Sequence, residues 1–144
     1  MITYEGTESI ARPPSEVFAF VSDVRNEPRW HTDILKARLI EGASVAKGSR
    51  FGVKFKPFMG QSEGVITIVE YEAPWRIVFR GRMGKMAPTV IHTVEPDDGG
   101  SRFTRRLELE PRGLLRLMAP LMGGMFRKQN AGFVANLKRV LEDR

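Results

Sequence analysis

The sequence predicts a single α+β domain in which a curved antiparallel sheet is closed by one long C-terminal helix. Three observations lead there. Between Ile34 and Glu110, six apolar-rich runs are separated by short glycine-, proline- and aspartate-containing turns, the mark of an antiparallel meander. From Leu114 onward, apolar residues recur at helical spacing to the end of the chain. A sheet with its helices on one side must cover its concave face, and only the terminal helix is long and apolar enough to do so.

Each element has its own local reason. Thr3 to Arg12 alternates, with Tyr4, Gly6 and Ile10 on one side, and is stopped as an opening strand by Pro13-Pro14. Ser15 is the expected N-cap of a helix whose apolar face is Val17, Phe18, Phe20, Val21 and Val24. Asn26-Glu27-Pro28 ends it, because proline donates no hydrogen bond and disfavours helix in the residue before it. Arg29 to Asp33 is expected to form a second short helical turn. Strands follow at Ile34–Glu41, Phe51–Phe58, Gly64–Tyr71, Arg76–Met83, Thr89–Glu95 and Arg102–Glu110. The last helix carries Leu114, Leu117, Met118, Leu121, Met122, Met125, Phe126, Phe133, Val134, Leu137, Val140 and Leu141, with Pro120 marking a kink or a first turn.

Composition narrows the classes of function. A chain of 144 residues suits one compact domain, residues 1–144, with no repeat or linker inside it. The absence of cysteine removes disulfides, thiolate metal sites and thiol nucleophiles, and fits a reducing compartment. Met1-Ile2-Thr3-Tyr4-Glu5 shows neither a basic region nor an apolar run, so no secretory signal is expected and the cytoplasm is the simplest address. Gly113 to Phe126 is interrupted by Arg116, Pro120, Gly123 and Gly124 and falls short of a membrane span. The net charge of +6 is spread along the chain and permits loose attraction to anionic surfaces. Nothing in the sequence specifies an oligomeric state.

Several stretches resemble a known family. Phe18-x-x-Val21-x-Asp23 followed by Trp30, the run from Tyr71 to Phe79 through Ala73-Pro74-Trp75, Glu95-Pro96 before Gly99-Gly100-Ser101-Arg102, and Gly113 to Leu121 are similar to the polyketide cyclase/dehydrase-like branch of the START-like (SRPBCC, Bet v 1-like) superfamily. The likeness runs through nearly the whole chain in order. It implies the helix-grip fold: about seven strands wrapped around the C-terminal helix, with two short helices after the first strand. It also implies binding of lipids, polyketides or other hydrophobic molecules, and only some members catalyse a reaction, so fold does not fix function.

The residues themselves offer a modest set of site candidates. His92 alternates with Val90 and Val94, which predicts that it faces the cavity, where it would donate to a ligand or act as acid or base. The competing reading ties it to a neighbouring strand. Trp30 is expected as an anchor or a cavity wall, and His31 with Asp33 is too small a set for a metal site. Arg80, and less so Glu63, are possible ligand anchors on strands. Asn130 falls on the apolar stripe of the long helix, where its amide needs a partner. Met118, Met122 and Phe126 offer a pliable surface on that helix, opposed by Phe51, Phe55, Phe79 and Phe103 from the sheet.

No phosphate-binding glycine loop, Ser/His/Asp set or acid pair is evident, and neither metal nor cofactor is expected. The first reading is therefore a non-catalytic binder or carrier of a small hydrophobic molecule. The alternative is a polyketide cyclase- or aromatase-like enzyme with His92 as acid–base residue and Trp30 or Tyr4 positioning the ring. A third reading is an interaction module touching an anionic membrane weakly through Arg112, Arg116, Arg127 and Lys128. Nucleic acid is not an expected partner, since Phe55-Lys56-Pro57-Phe58 is the only interleaving of basic and aromatic residues.

Overall fold

The computed structural model describes residues 1–144, with the side chain of Leu115 outside the description. The chain runs β1 (Ile2–Ile10), α1 (Pro14–Ser22), a 3₁₀ helix (Val24–Arg29), β2 (Ile34–Glu41), β3 (Arg50–Phe58), β4 (Gln61–Glu72), β5 (Arg76–Arg82), β6 (Thr89–Asp97), β7 (Gly100–Leu109) and α2 (Leu114–Glu142). The strands form one seven-stranded sheet in the order β1-β7-β6-β5-β4-β3-β2. Every neighbouring pair is antiparallel. This is the helix-grip arrangement.

Hairpin chemistry sets the meander. Phe58 pairs with Gln61 and Asp97 with Gly100, which leaves two-residue loops at Met59-Gly60 and Asp98-Gly99. Both residues of each loop have positive φ (52° and 79°, 45° and 83°), the conformation whose twist matches the strands it joins. The one long crossover runs from β1 at one edge to β2 at the other, carried by α1 and the 3₁₀ helix.

That crossover departs from the expected boundaries. Proline occupies the first turn of α1, with Pro13 as its cap and no side-chain capping bond, so Ser15 lies inside the helix. Asp23 then goes extended, at φ −93° and ψ 106°, and its carboxylate accepts from the Arg25 amide at 3.0 Å. The second helical piece therefore starts at Val24 rather than Arg29, with Pro28 inside it. The amides of Trp30 and His31 both donate to the Glu27 carbonyl, at 3.0 and 2.7 Å.

α2, a helix of 29 residues and about 43 Å long, sits on β1 and β7. Its second half is seated: Phe133, Val134, Leu137 and Leu141 are buried with Val17, Val21, Trp30 and Phe103 in the core. Its first half leaves an apolar face uncovered. Leu114, Leu117, Leu121 and Met125 are 61, 76, 88 and 45% exposed. The sequence led to one apolar stripe, whereas the helix has two faces. At about 100° per residue Leu121 lies roughly 160° around the axis from Leu137, so seating the second half on the sheet turns Leu121 outward.

α2 approaches the sheet closely at Gly6 of β1. A Cβ there would lie 3.2 Å from the Val134 side chain and 3.3 Å from the Asn130 amide nitrogen. Gly6→Val is expected to destabilise the protein by about 1–3 kcal/mol through overpacking. The check is the midpoint of urea unfolding, and an unchanged midpoint would contradict the seating of α2 described here.

Candidate functional site

Between the concave face of the sheet and the middle of α2 lies a cavity of about 390 Å³, within the range of small-molecule sites. Strand alternation supplies its walls: Val53 and Phe55 of β3, Ile66 of β4, Phe79 of β5, Val90 of β6 and Leu107 and Leu109 of β7. Met125, Phe126 and Phe133 close it from α2. Lys56 and Asp33, paired at 3.7 Å and partly exposed, stand at its rim.

The lining also includes a polar cluster formed by the buried Glu27, Arg105 and Asn130 and the half-buried His31. Three separate elements build it. Arg105 lies on the inner face of β7, where it pairs across the sheet with Gly6 on one side and His92 on the other. Gly6 has no side chain to fill the space above, and Asn130 occupies it from α2. The Arg105 Nη1 donates to Asn130 Oδ1, and Asn130 Nδ2 donates to the Arg105 carbonyl at 3.2 Å. The 3₁₀ helix brings in Glu27, and the turn after it stacks the His31 ring on Phe133 at 3.9 Å between centroids.

Burial controls the charges. Desolvation pushes the Glu27 carboxyl up to about 7, with the positive charge of Arg105 only partly opposing it. The imidazoles of His31 and His92 are held well below the usual histidine range, first by burial and then by Arg105. Burial also lowers Arg105, countered by Glu27. Near neutral pH both imidazoles are neutral, Arg105 is charged and Glu27 titrates.

Of the residues expected from the sequence, Phe55, Phe79, Phe126 and Asn130 line the cavity. Others do not. His92 is fully buried behind that surface, its Nδ1 3.1 Å from the Val21 carbonyl and its ring within 5.1 Å of both Phe79 and Phe103. It shares the inner face as the alternation implied, but α1 covers that part of the sheet. Trp30, Phe51 and Phe103 are likewise 0% exposed core residues rather than walls. Arg80 is exposed on the convex face, because Phe79 beside it points inward and neighbours in a regular strand cannot share a face. Glu63 is exposed and pairs with Lys54 at 3.8 Å. Met118 and Met122 are half-buried on α2 and outside the lining.

Glu27 and Arg105 were missed because their local contexts look solvated, an Asn-Glu-Pro turn and an Arg-Arg pair. The alternation of Arg105 with Phe103 and Leu107 was the available signal. Among the described residues, no group of three His, Asp or Glu side chains is placed to hold a metal ion. No described helix is long and apolar enough to cross a membrane.

Residues 1–142 match the family described as polyketide cyclase / dehydrase and lipid transport, and the chain belongs to that family. Solved structures agree on the fold. Protein CV1439 from Chromobacterium violaceum superimposes with a TM-score of 0.71 at 15% identity, over 99% of both chains. Ara h 8.0201 gives a TM-score of 0.73 at 16% identity, again over 99% of both chains. DynU16, from the dynemicin biosynthetic locus, is 22% identical with a TM-score of 0.64, covering 97% of this chain and 47% of its own. No curated protein matches the sequence significantly.

Glu27 gives the site a stability signature. Its folded-state value is raised from 4.5 to about 7, so the folded protein holds a proton that the unfolded chain releases, and stability falls as pH rises through that window. Glu27→Gln removes the titration. Its stability relative to wild type should therefore rise by roughly 2–3 kcal/mol between about pH 5 and pH 8. Urea unfolding at both pH values tests this, and a pH-independent difference would show that Glu27 is ionised throughout.

Proposed function

We propose that the protein binds and carries a small hydrophobic molecule in the cavity between the sheet and α2. The observation that carries this reading is the cavity itself, an apolar space of about 390 Å³ whose walls are supplied by residues of six strands and the middle of the closing helix. Apolar contact supplies most of the binding free energy in such a site, at about 25 cal/mol per Å² removed from water. The few polar groups orient the ligand. Phe55, Phe79, Phe126 and Asn130 are its proposed contacts, joined by Glu27, His31 and Arg105. The family's description, which includes lipid transport, supports the same reading.

The neutral fluorophore N-phenyl-1-naphthylamine tests the cavity without assuming a natural ligand. Binding should raise and blue-shift its emission, and Val90→Trp, which fills the space from β6, should weaken binding at least tenfold while circular dichroism stays native. Equal binding by the two proteins would place the probe elsewhere and remove the cavity as the site.

A cyclase reading moves from His92 to Glu27 and His31, because a carboxyl titrating near neutrality that faces the cavity is the acid–base group in reach of a bound molecule.

Another observation favours contact with an anionic membrane. Leu114, Leu117, Leu121 and Met125 form an exposed apolar stripe on α2. Between Glu110 and Glu142 the sequence has six basic residues, Arg112, Arg116, Arg127, Lys128, Lys138 and Arg139, and no acidic one. Such a helix face suits the headgroup region of an anionic bilayer. The protein should co-sediment with vesicles of phosphatidylcholine and phosphatidylserine and be released by salt. The Leu117→Ser/Leu121→Ser double variant should lose most of that binding. Retention on pure phosphatidylcholine to the same extent would exclude the electrostatic component.

A further inference from the structure

We propose that the molecule held in the cavity is an amphipathic acid, an apolar body with one carboxylate-type head, and that it binds head-inward on the guanidinium of Arg105. This rests on the cavity being the ligand site and goes on to specify the chemistry of its occupant.

The unmet hydrogen-bonding capacity of Arg105 is the starting point. A guanidinium has five N–H donors in a planar fork. In the structure Nη1 is taken by Asn130 Oδ1, while Nε is buried without a partner. Arg105 is 5% exposed, so water reaches it only through the cavity it lines. Among the described residues no carboxylate is close enough to form an ion pair with it. A buried cation left in this condition is costly, and a bidentate anion is the partner that matches its fork. Asn130 cannot turn away to relieve it, since its amide nitrogen is held on the Arg105 carbonyl at 3.2 Å.

The surrounding groups reinforce the sign. From the turn after the 3₁₀ helix comes His31, whose Nδ1 is also buried without a partner. From β6, behind the wall, comes His92, bonded to the Val21 carbonyl. Both rings are neutral, so neither competes with Arg105 for the head. β1 places Gly6 opposite Arg105, with the half-buried Glu8 two residues on and not ion-paired with it, and α2 adds the uncharged Asn130 and Gln129. Lys56 of β3 and Asp33 pair with each other at the rim. The remaining charged group of the lining is Glu27. With Glu27 protonated the polar cluster carries a net positive charge and accepts an anion. With Glu27 ionised it is neutral overall, and a second carboxylate is repelled. The sign of the pH effect follows: because the Glu27 carboxyl is raised to about 7, affinity for an anionic head falls as pH rises through neutrality. An ammonium head would face Arg105 and is disfavoured at every pH.

Dodecanoate, 1-dodecanol and dodecylamine share one chain and differ in the head, so titration calorimetry of the full chain with each separates the two levels of inference. Near pH 6 dodecanoate should bind at least tenfold more tightly than dodecanol, and dodecylamine most weakly. By about pH 8.5 the preference for dodecanoate, which is ionised at both pH values, should shrink several-fold. Arg105→Gln should erase the difference between dodecanoate and dodecanol. Glu27→Gln should erase the pH dependence of that difference, which keeps the test decisive should the Arg105 variant fail to fold. Equal affinity of wild type for dodecanoate and dodecanol would overturn the anionic head while leaving the hydrophobic site standing. Binding of none of the three would overturn both.

Discussion

The contact between Arg105 and Asn130 is the constraint around which the rest of the molecule is arranged. It joins the middle of β7 to the middle of α2 through two hydrogen bonds made in opposite directions, guanidinium to amide oxygen and amide nitrogen to backbone carbonyl. A buried charge tolerates few positions for its neighbours, because each polar atom around it must be matched. Gly6 must lack a side chain so that the helix can reach Arg105. Beyond Asn130 toward the C-terminus, α2 descends into the core. Before it, the helix bounds the cavity with Phe126, whose ring meets Tyr4 of β1 and Phe58 of β3.

The cavity is a consequence of that geometry. Phe126 and Phe133 of α2 face Phe55, Phe79 and Leu107 of the sheet across the cavity instead of filling it. The first half of the helix presents Leu117 and Leu121 to the outside, and among the described residues Ala119 is its fully buried contact. The fold thereby separates two tasks. The second half of α2 and the shell of Trp30, His92 and Phe103 stabilise the domain, and the first half shapes a space next to an unsatisfied cation.

Much of this was readable from residue patterns. The six strands of the meander begin or end within a few residues of their expected limits, because turn residues such as Asp98-Gly99 have few alternatives to a tight hairpin. The likeness to the polyketide cyclase/dehydrase-like branch was carried by the same turns and aromatic positions, and the chain belongs to that family. The polar cluster was less legible. Asn130 was found from helical spacing, whereas Glu27 sat in a sequence that reads as a loop and Arg105 beside a second arginine that does remain at the surface. Alternation could not show which part of the inner face α1 covers, and His92 lies under it.

The sequence by itself determined the order and kind of the elements and the parity of each strand, since these follow from local conformational preference and from apolar periods of two and of 3.6 residues. Only the tertiary structure decided which inward-facing residues meet a cavity and which are sealed in the core, and which charges lose their water. Parity states the side of a sheet toward which a residue points. The distance to whatever covers that side depends on where a helix more than a hundred residues away in sequence from β1 comes to rest, and here it rests where Arg105 holds Asn130.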